Sequence, residues 1–188
     1  PQTEFANAPR EIEPPADIVI AGDLNGIMPG TAERILETAR QGGRVFLFLN
    51  ETMTPEALNA SLLTALGLRA AGFRHSEADT ERFDLLAWIV FEHPIFRVFQ
   101  GSQLNDFSPV HFYNYVLLES IAETSQAKVL ARLEGGAPEK SHPAMLEIPL
   151  GEGRVILWAF SPDLEWSNLP QSPKFVPLLH ETLFHLAG

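Results

Sequence analysis

Three short runs that are apolar at nearly every position restrict the fold more than any other feature. They are the strand that opens ADIVIAGDLNG (Ala16–Gly26) and runs into a turn, Val45–Leu49 within RVFLFLN, and Val155–Phe160 within RVILWAF. A strand exposed on one face alternates apolar and polar residues, whereas one covered on both faces does not, and such strands belong to parallel sheets sandwiched by helices. Between the first two runs, Ala32, Ile35, Leu36 and Ala39 recur at helical spacing, with Thr31 placed to cap and Gly42-Gly43 to stop the helix. Thr54-Pro55-Glu56 opens a second helix, whose expected inner face is Leu58, Leu62, Ala65 and Leu66 before Gly67. Strand, helix, strand, helix at this spacing predicts a βαβ unit and an α/β fold.

The rhythm then changes. Arg82–Phe91, His111–Glu119 and Ala127–Leu133 read as strands with no useful helix between them. AMLEIP and RVILWAF are joined through Leu150-Gly151-Glu152-Gly153, which suits a hairpin. The segment from Ser172 to Ala187 predicts a closing helix with Val176, Leu179, Leu183 and Leu186 inward and Pro177 in its first turn, where a missing N–H is harmless. Residues 17–188 therefore read as one domain with a parallel and an antiparallel half, behind an extended proline-rich lead-in over residues 1–16.

Charge narrows the partners. The chain has 188 residues and a formal net charge of −11, with no two adjacent Lys or Arg residues, so it offers no basic surface to a phosphate backbone or an anionic membrane. It has no cysteine, which removes disulfides, thiolate nucleophiles and zinc-thiolate sites. No apolar run approaches the roughly 20 residues that span a bilayer. The sequence begins at Pro1 rather than Met, as expected of a piece of something longer, so its compartment is left open. Neither a glycine-rich phosphate loop nor a G-x-S-x-G elbow is present, and no cofactor is expected.

In open α/β sheets ligands sit outside the carboxyl ends of the strands. Segments at such ends carry Asp23, Asn25, Asn50, Glu51, Asp163 and Glu165. Converging carboxylates could hold Mg²⁺ or Ca²⁺, but Asp and Asn also favour turns because their side chains bond nearby amides, and that reading takes precedence here: no metal site is expected. Trp166, within SPDLEWSNLP, either lids the sheet end or stacks a ligand. The histidines are scattered and read as surface or locally bonded, His180 and His185 on the last helix included. His93 is the one to test first, because Glu92 precedes it and could orient its ring.

The order ADIVIAGDLNG, ARQGGRVFLFLNE, EHPIF, GEGRVILWAFSPDLEWSNLP, FVPLLHETLFHLAG resembles the class I glutamine amidotransferase-like domain. It looks closest to the version found in bacterial membrane-anchored proteins beside a von Willebrand factor A domain and an aerotolerance-regulator-type membrane segment. The resemblance implies a flavodoxin-like fold and a soluble domain of a membrane-anchored cell-envelope parent, with the periplasm as a candidate compartment. It also implies a strand before ADIVI. Active members carry a cysteine in the turn that is Asn50-Glu51-Thr52 here, and a histidine after the late strand that runs here into Ser161-Pro162-Asp163. Without a thiolate, glutaminase chemistry is excluded.

These readings lead to a non-catalytic interaction or ligand-binding module, a degenerate amidotransferase-like domain. Its binding surface would comprise Asp23, Asn25, Asn50, Glu51, His93, Asp163, Glu165 and Trp166, and its partner would be another protein or other domains of its own chain. The rival reading is a metal- or carboxylate-dependent hydrolase of a small molecule or sugar, with Asp23, Glu51, Asp163 and Glu165 as its acids.

Overall fold

The computed structural model describes residues 3–5, 18–22, 30–76, 82–120, 126–134 and 141–188. In chain order its elements are β1 (Thr3–Phe5), β2 (Ile18–Ala21), α1 (Thr31–Arg40), β3 (Arg44–Phe48), α2 (Pro55–Leu58) and β4 (Leu68–Arg74). There follow β5 (Leu85–Ile89), α3 (Pro94–Arg97), β6 (Tyr115–Ser120), β7 (Lys128–Glu134), β8 (Ser141–Leu150), β9 (Gly153–Trp158) and α4 (Phe175–Ala187).

A seven-stranded sheet runs β1-β2-β3-β9-β8-β7-β5. From β1 to β9 neighbouring strands are parallel, and from β9 to β5 each neighbour is antiparallel. This is the expected flavodoxin-like α/β architecture with an antiparallel half. Val45, Phe46 and Leu47 are all buried although successive strand residues face opposite sides, so both faces of β3 are covered. α4 packs on β2, β3 and β9, and α1 on β3, β8 and β9. The strand expected ahead of ADIVI is β1, paired with Ile18–Ile20 from within the stretch read as a lead-in.

Three local readings change. α1 begins after Gly30 in a left-handed conformation, and Thr31 is its first residue rather than its cap. α2 is capped by Thr54 as expected, the hydroxyl accepting from the Ala57 N–H at 3.3 Å, but runs on into a π-helical turn over Asn59–Leu63. That wider turn shifts the helical phase, so Leu63 is buried and Ala65 exposed. In α4, Leu178, Thr182 and Leu186 make the fully buried ridge while Val176 is 71% exposed; Pro177 does lie in the first turn.

β4 has no counterpart in the sequence reading. It pairs antiparallel with β6 in a separate two-stranded sheet, with an irregularity between Ala70 and Gly72. The Asn59 amide serves its other side, donating to the Ala70 carbonyl at 3.0 Å and accepting from the Ala70 N–H at 2.7 Å. The small sheet is tied to β5 through buried Asp84, which accepts the Tyr115 hydroxyl at 2.7 Å and the Arg74 Nε at 3.3 Å. Burial, then the hydrogen bond and charge of Asp84, raise the Tyr115 pKa above its ordinary value, with Arg74 opposing. A raised pKa means stability that is complete below the unfolded value of about 10 and declines as pH rises past it. Tyr115→Phe should therefore be less stable than wild type at pH 8 by about 1.5–3 kcal/mol, the range for a hydrogen bond to a charged group. Denaturant titrations should show that gap narrowing above pH 10, and a constant gap would contradict the assignment.

Candidate functional site

The carboxyl end of the sheet is occupied by its own loops. Asn50 accepts from the Thr52 N–H at 3.3 Å and the Thr52 hydroxyl at 2.6 Å, and donates to the Gly22 carbonyl at 3.4 Å. Glu51 meets His75 at 3.2 Å with both side chains more than half exposed, an arrangement that contributes little. Asp23 and Asn25 lie outside the described residues.

Beyond β9, SPDLEWSNLP folds into a turn that fastens to the chain before β6. One oxygen of Asp163 accepts the N–H groups of Glu165 and Trp166 at 3.1 and 3.2 Å. The Trp166 carbonyl accepts from Tyr113 and Asn114 at 2.8 and 3.2 Å. Asn114 donates to the Glu165 carbonyl at 2.6 Å, and Asn168 bridges the His111 N–H at 2.8 Å and the Pro109 carbonyl at 3.1 Å. Trp166 is only 5% exposed, its indole packed inward as a lid over the sheet end would be. Leu164, two residues before it, is 51% exposed. An extended strand would put both on one side, but here the Ser167 N–H returns to the Asp163 carbonyl at 3.1 Å, and the resulting turn throws Leu164 outward. Asp163 and Glu165 are exposed carboxylates at its rim.

His93 is not at that end. It caps α3, its Nδ1 accepting from the Ile95 N–H at 3.4 Å, and its Nε2 lies 3.1 Å from Glu147 Oε2. The orienting carboxylate is thus Glu147 rather than Glu92, which points to solvent. Glu147 stands opposite Ile156 of β9, and its other oxygen is 2.7 Å from His185 Nε2 in the last turn of α4. Arg154, near the start of β9, approaches Glu147 Oε1 at 3.6 Å and His185 Nε2 at 3.4 Å. The two imidazole rings meet edge to face, 4.8 Å between centroids. His93 is buried, and the side chains of Glu147 and His185 retain 19% and 14% exposure. Hydrogen bonds from His185 and then His93 outweigh burial and hold the Glu147 carboxyl well below the usual carboxylate range.

Such a cluster, two imidazoles and a guanidinium around one carboxylate, can hold a proton, a metal ion or a polar ligand. His185 and Glu147 were not singled out as site residues by sequence reasoning. The available signal was Glu147 itself, a lone carboxylate in a strand where Ala144, Met145, Leu146 and Ile148 are all buried. A charge so placed requires partners.

No protein-family model and no curated protein matches the chain by sequence. Solved structures do match by fold. A cytoplasmic protein from Salmonella typhimurium superposes with a TM-score of 0.62 at 17% identity, over 90% of this chain and 71% of the other. A putative ThuA-like protein from Bacteroides uniformis gives 0.55 at 13% identity, over 91% and 69%. A cold-adapted β-galactosidase from Rahnella sp. R3 gives 0.58 at 19% identity over 90% of this chain, which spans only 22% of that enzyme. These likenesses establish the fold class alone. They overturn the expected kinship with membrane-anchored von Willebrand factor A and aerotolerance-regulator-type proteins, because the matching structures are ThuA-like, cytoplasmic and glycosidase chains.

If the loop after β9 is architectural, Trp166→Ala should lower stability by about 3–5 kcal/mol, as deletion of a buried large side chain does. Chemical denaturation checks this, and a variant as stable as wild type would mark Trp166 as a ligand-facing group instead.

Proposed function

We propose that the domain is a non-catalytic binding module of a larger protein, engaging another protein or other domains of its own chain. The observation that carries this reading is the employment of the sheet-end polar groups. Asp163 is committed to the amides of Glu165 and Trp166 and Asn50 to Thr52, so neither is poised over a substrate. Among the described residues, that end exposes the acidic Glu51, Asp163 and Glu165 together with the apolar Leu164. With a net charge of −11, it suits a basic or polar protein surface and repels nucleic acid.

A second reading, hydrolysis of a small molecule, is favoured by the His93–Glu147–His185 cluster. Sugar hydrolysis commonly uses two carboxylates flanking the scissile bond, and this cluster contributes one. The test is turnover of chromogenic glycosides, esters and phosphate esters, and of glutamine, with and without Mg²⁺ or Zn²⁺. The binding-module reading predicts no rate above buffer for any of them. Turnover by the wild type that Glu147→Gln or Asp163→Ala abolishes would replace it with the hydrolase.

A further inference from the structure

We propose that His93, Glu147 and His185 form a binding site for one Zn²⁺ ion. The three side chains come from separate elements, the start of α3, the middle of β8 and the last turn of α4, and converge where nothing in their local sequence demands it. One ligand atom from each lies within 4.8 Å of the others. The imidazole nitrogens stand 3.1 and 2.7 Å from the carboxylate oxygens. A tetrahedral zinc with bonds near 2.0–2.2 Å separates its donors by about 3.3 Å, so a cluster that spans up to 4.8 Å contracts by about 1.5 Å at its widest to admit the ion. Two nitrogens and one carboxylate select zinc over Mg²⁺ or Ca²⁺, which prefer oxygen alone. The partial exposure of Glu147 and His185 gives the ion a way in.

Two features of the cluster make the site distinctive. His93 Nδ1 accepts the Ile95 N–H at 3.4 Å, which places the ring proton on Nε2, facing Glu147. Zinc at Nε2 shifts that proton to Nδ1, a change of tautomer with no net proton release, so the long contact to Ile95 is given up. Arg154 is the second feature. Its guanidinium lies 3.6 Å from Glu147 with 39% of the side chain exposed, and it occupies the carboxylate as a competing cation that can swing to solvent. Removing it should strengthen metal binding, an effect that loss of structural support would not produce.

The test is calorimetric titration of the whole chain with ZnCl₂ at pH 7.5, together with the visible spectrum of the Co²⁺ form. One ion per chain and an intense tetrahedral Co²⁺ spectrum are expected. His185→Ala and Glu147→Gln should each weaken binding at least about 100-fold, the upper end of what losing even an outer-shell partner costs. Arg154→Ala should tighten it. His75→Ala and His180→Ala, which remove exposed imidazoles paired with Glu51 and Glu181, should leave it unchanged. Circular dichroism verifies folding of every variant. If Glu147→Gln does not fold, the direction of the Arg154→Ala effect and the Co²⁺ spectrum decide. The site is refuted by absence of binding to wild type, by affinity indifferent to His185→Ala, by binding that Arg154→Ala weakens, or by binding that His75→Ala or His180→Ala abolishes.

Discussion

The fold depends on how β9 is seated between the two halves of its sheet. On one edge it continues the parallel ladder from β3, and on the other it returns antiparallel to β8 through a hairpin. That hairpin sits directly against the end of α1 and the start of β3. The Glu152 N–H donates to the Arg40 carbonyl at 3.1 Å and the Arg154 N–H to the Gly43 carbonyl at 3.4 Å. A Cβ at Gly153 would land on the carbonyl oxygens of Gly43 and Ala39, and Gly151, left-handed at φ 61°, has the Arg40 backbone where its own Cβ would be. Glycine is required at both positions by contact, and at Gly151 by conformation as well. Val155, Ile156, Leu157 and Trp158 then run through the core with no exposure.

The strand thereby governs two regions. Its carboxyl end leads into the turn at Asp163 and so into the Trp166 loop, beside which Phe112, Trp158 and Phe160 pack ring on ring. Its amino end carries Arg154 toward Glu147 and His185. Hydrogen bonding engages Asn50, Asp163 and Asn168 in the first region, where the buried Trp158 indole N–H has no hydrogen-bond partner, and leaves the second with opposed charges in partial contact with solvent. Parallel α/β sheets usually keep their ligands at the first. Here the density of unspent chemistry lies at the second.

Much of this was legible in sequence because it depends on short-range rules. Continuous apolar strands, Thr54 before Pro55, and the glycines around Glu152 announce their roles within a few residues. The turn preference of Asp163 was also readable, and its carboxylate does accept backbone amides. What escaped depends on distance along the chain. β4 is irregular and gains its partner only when β6 arrives, and the π-helical turn that buries Leu63 leaves no periodic signature. The charged cluster escaped for the same reason. His93 and Glu147 are 54 positions apart and Glu147 and His185 are 38, so only the folded sheet and α4 bring them together. Proximity in sequence favoured Glu92 as the partner of His93, whereas the fold chose Glu147.

The central claim is that the loop after β9 belongs to the core and closes the described part of the sheet end. Native-state hydrogen exchange tests it most directly, read at the amides of Tyr113, Ser167 and Asn168, which bond to Trp166, Asp163 and His111. Closure by the core predicts that these amides exchange only through global unfolding, with free energies within roughly 1 kcal/mol of those for Ile156 and Leu157 in β9. Exchange of the loop amides through local opening, while β9 stays protected, would contradict it.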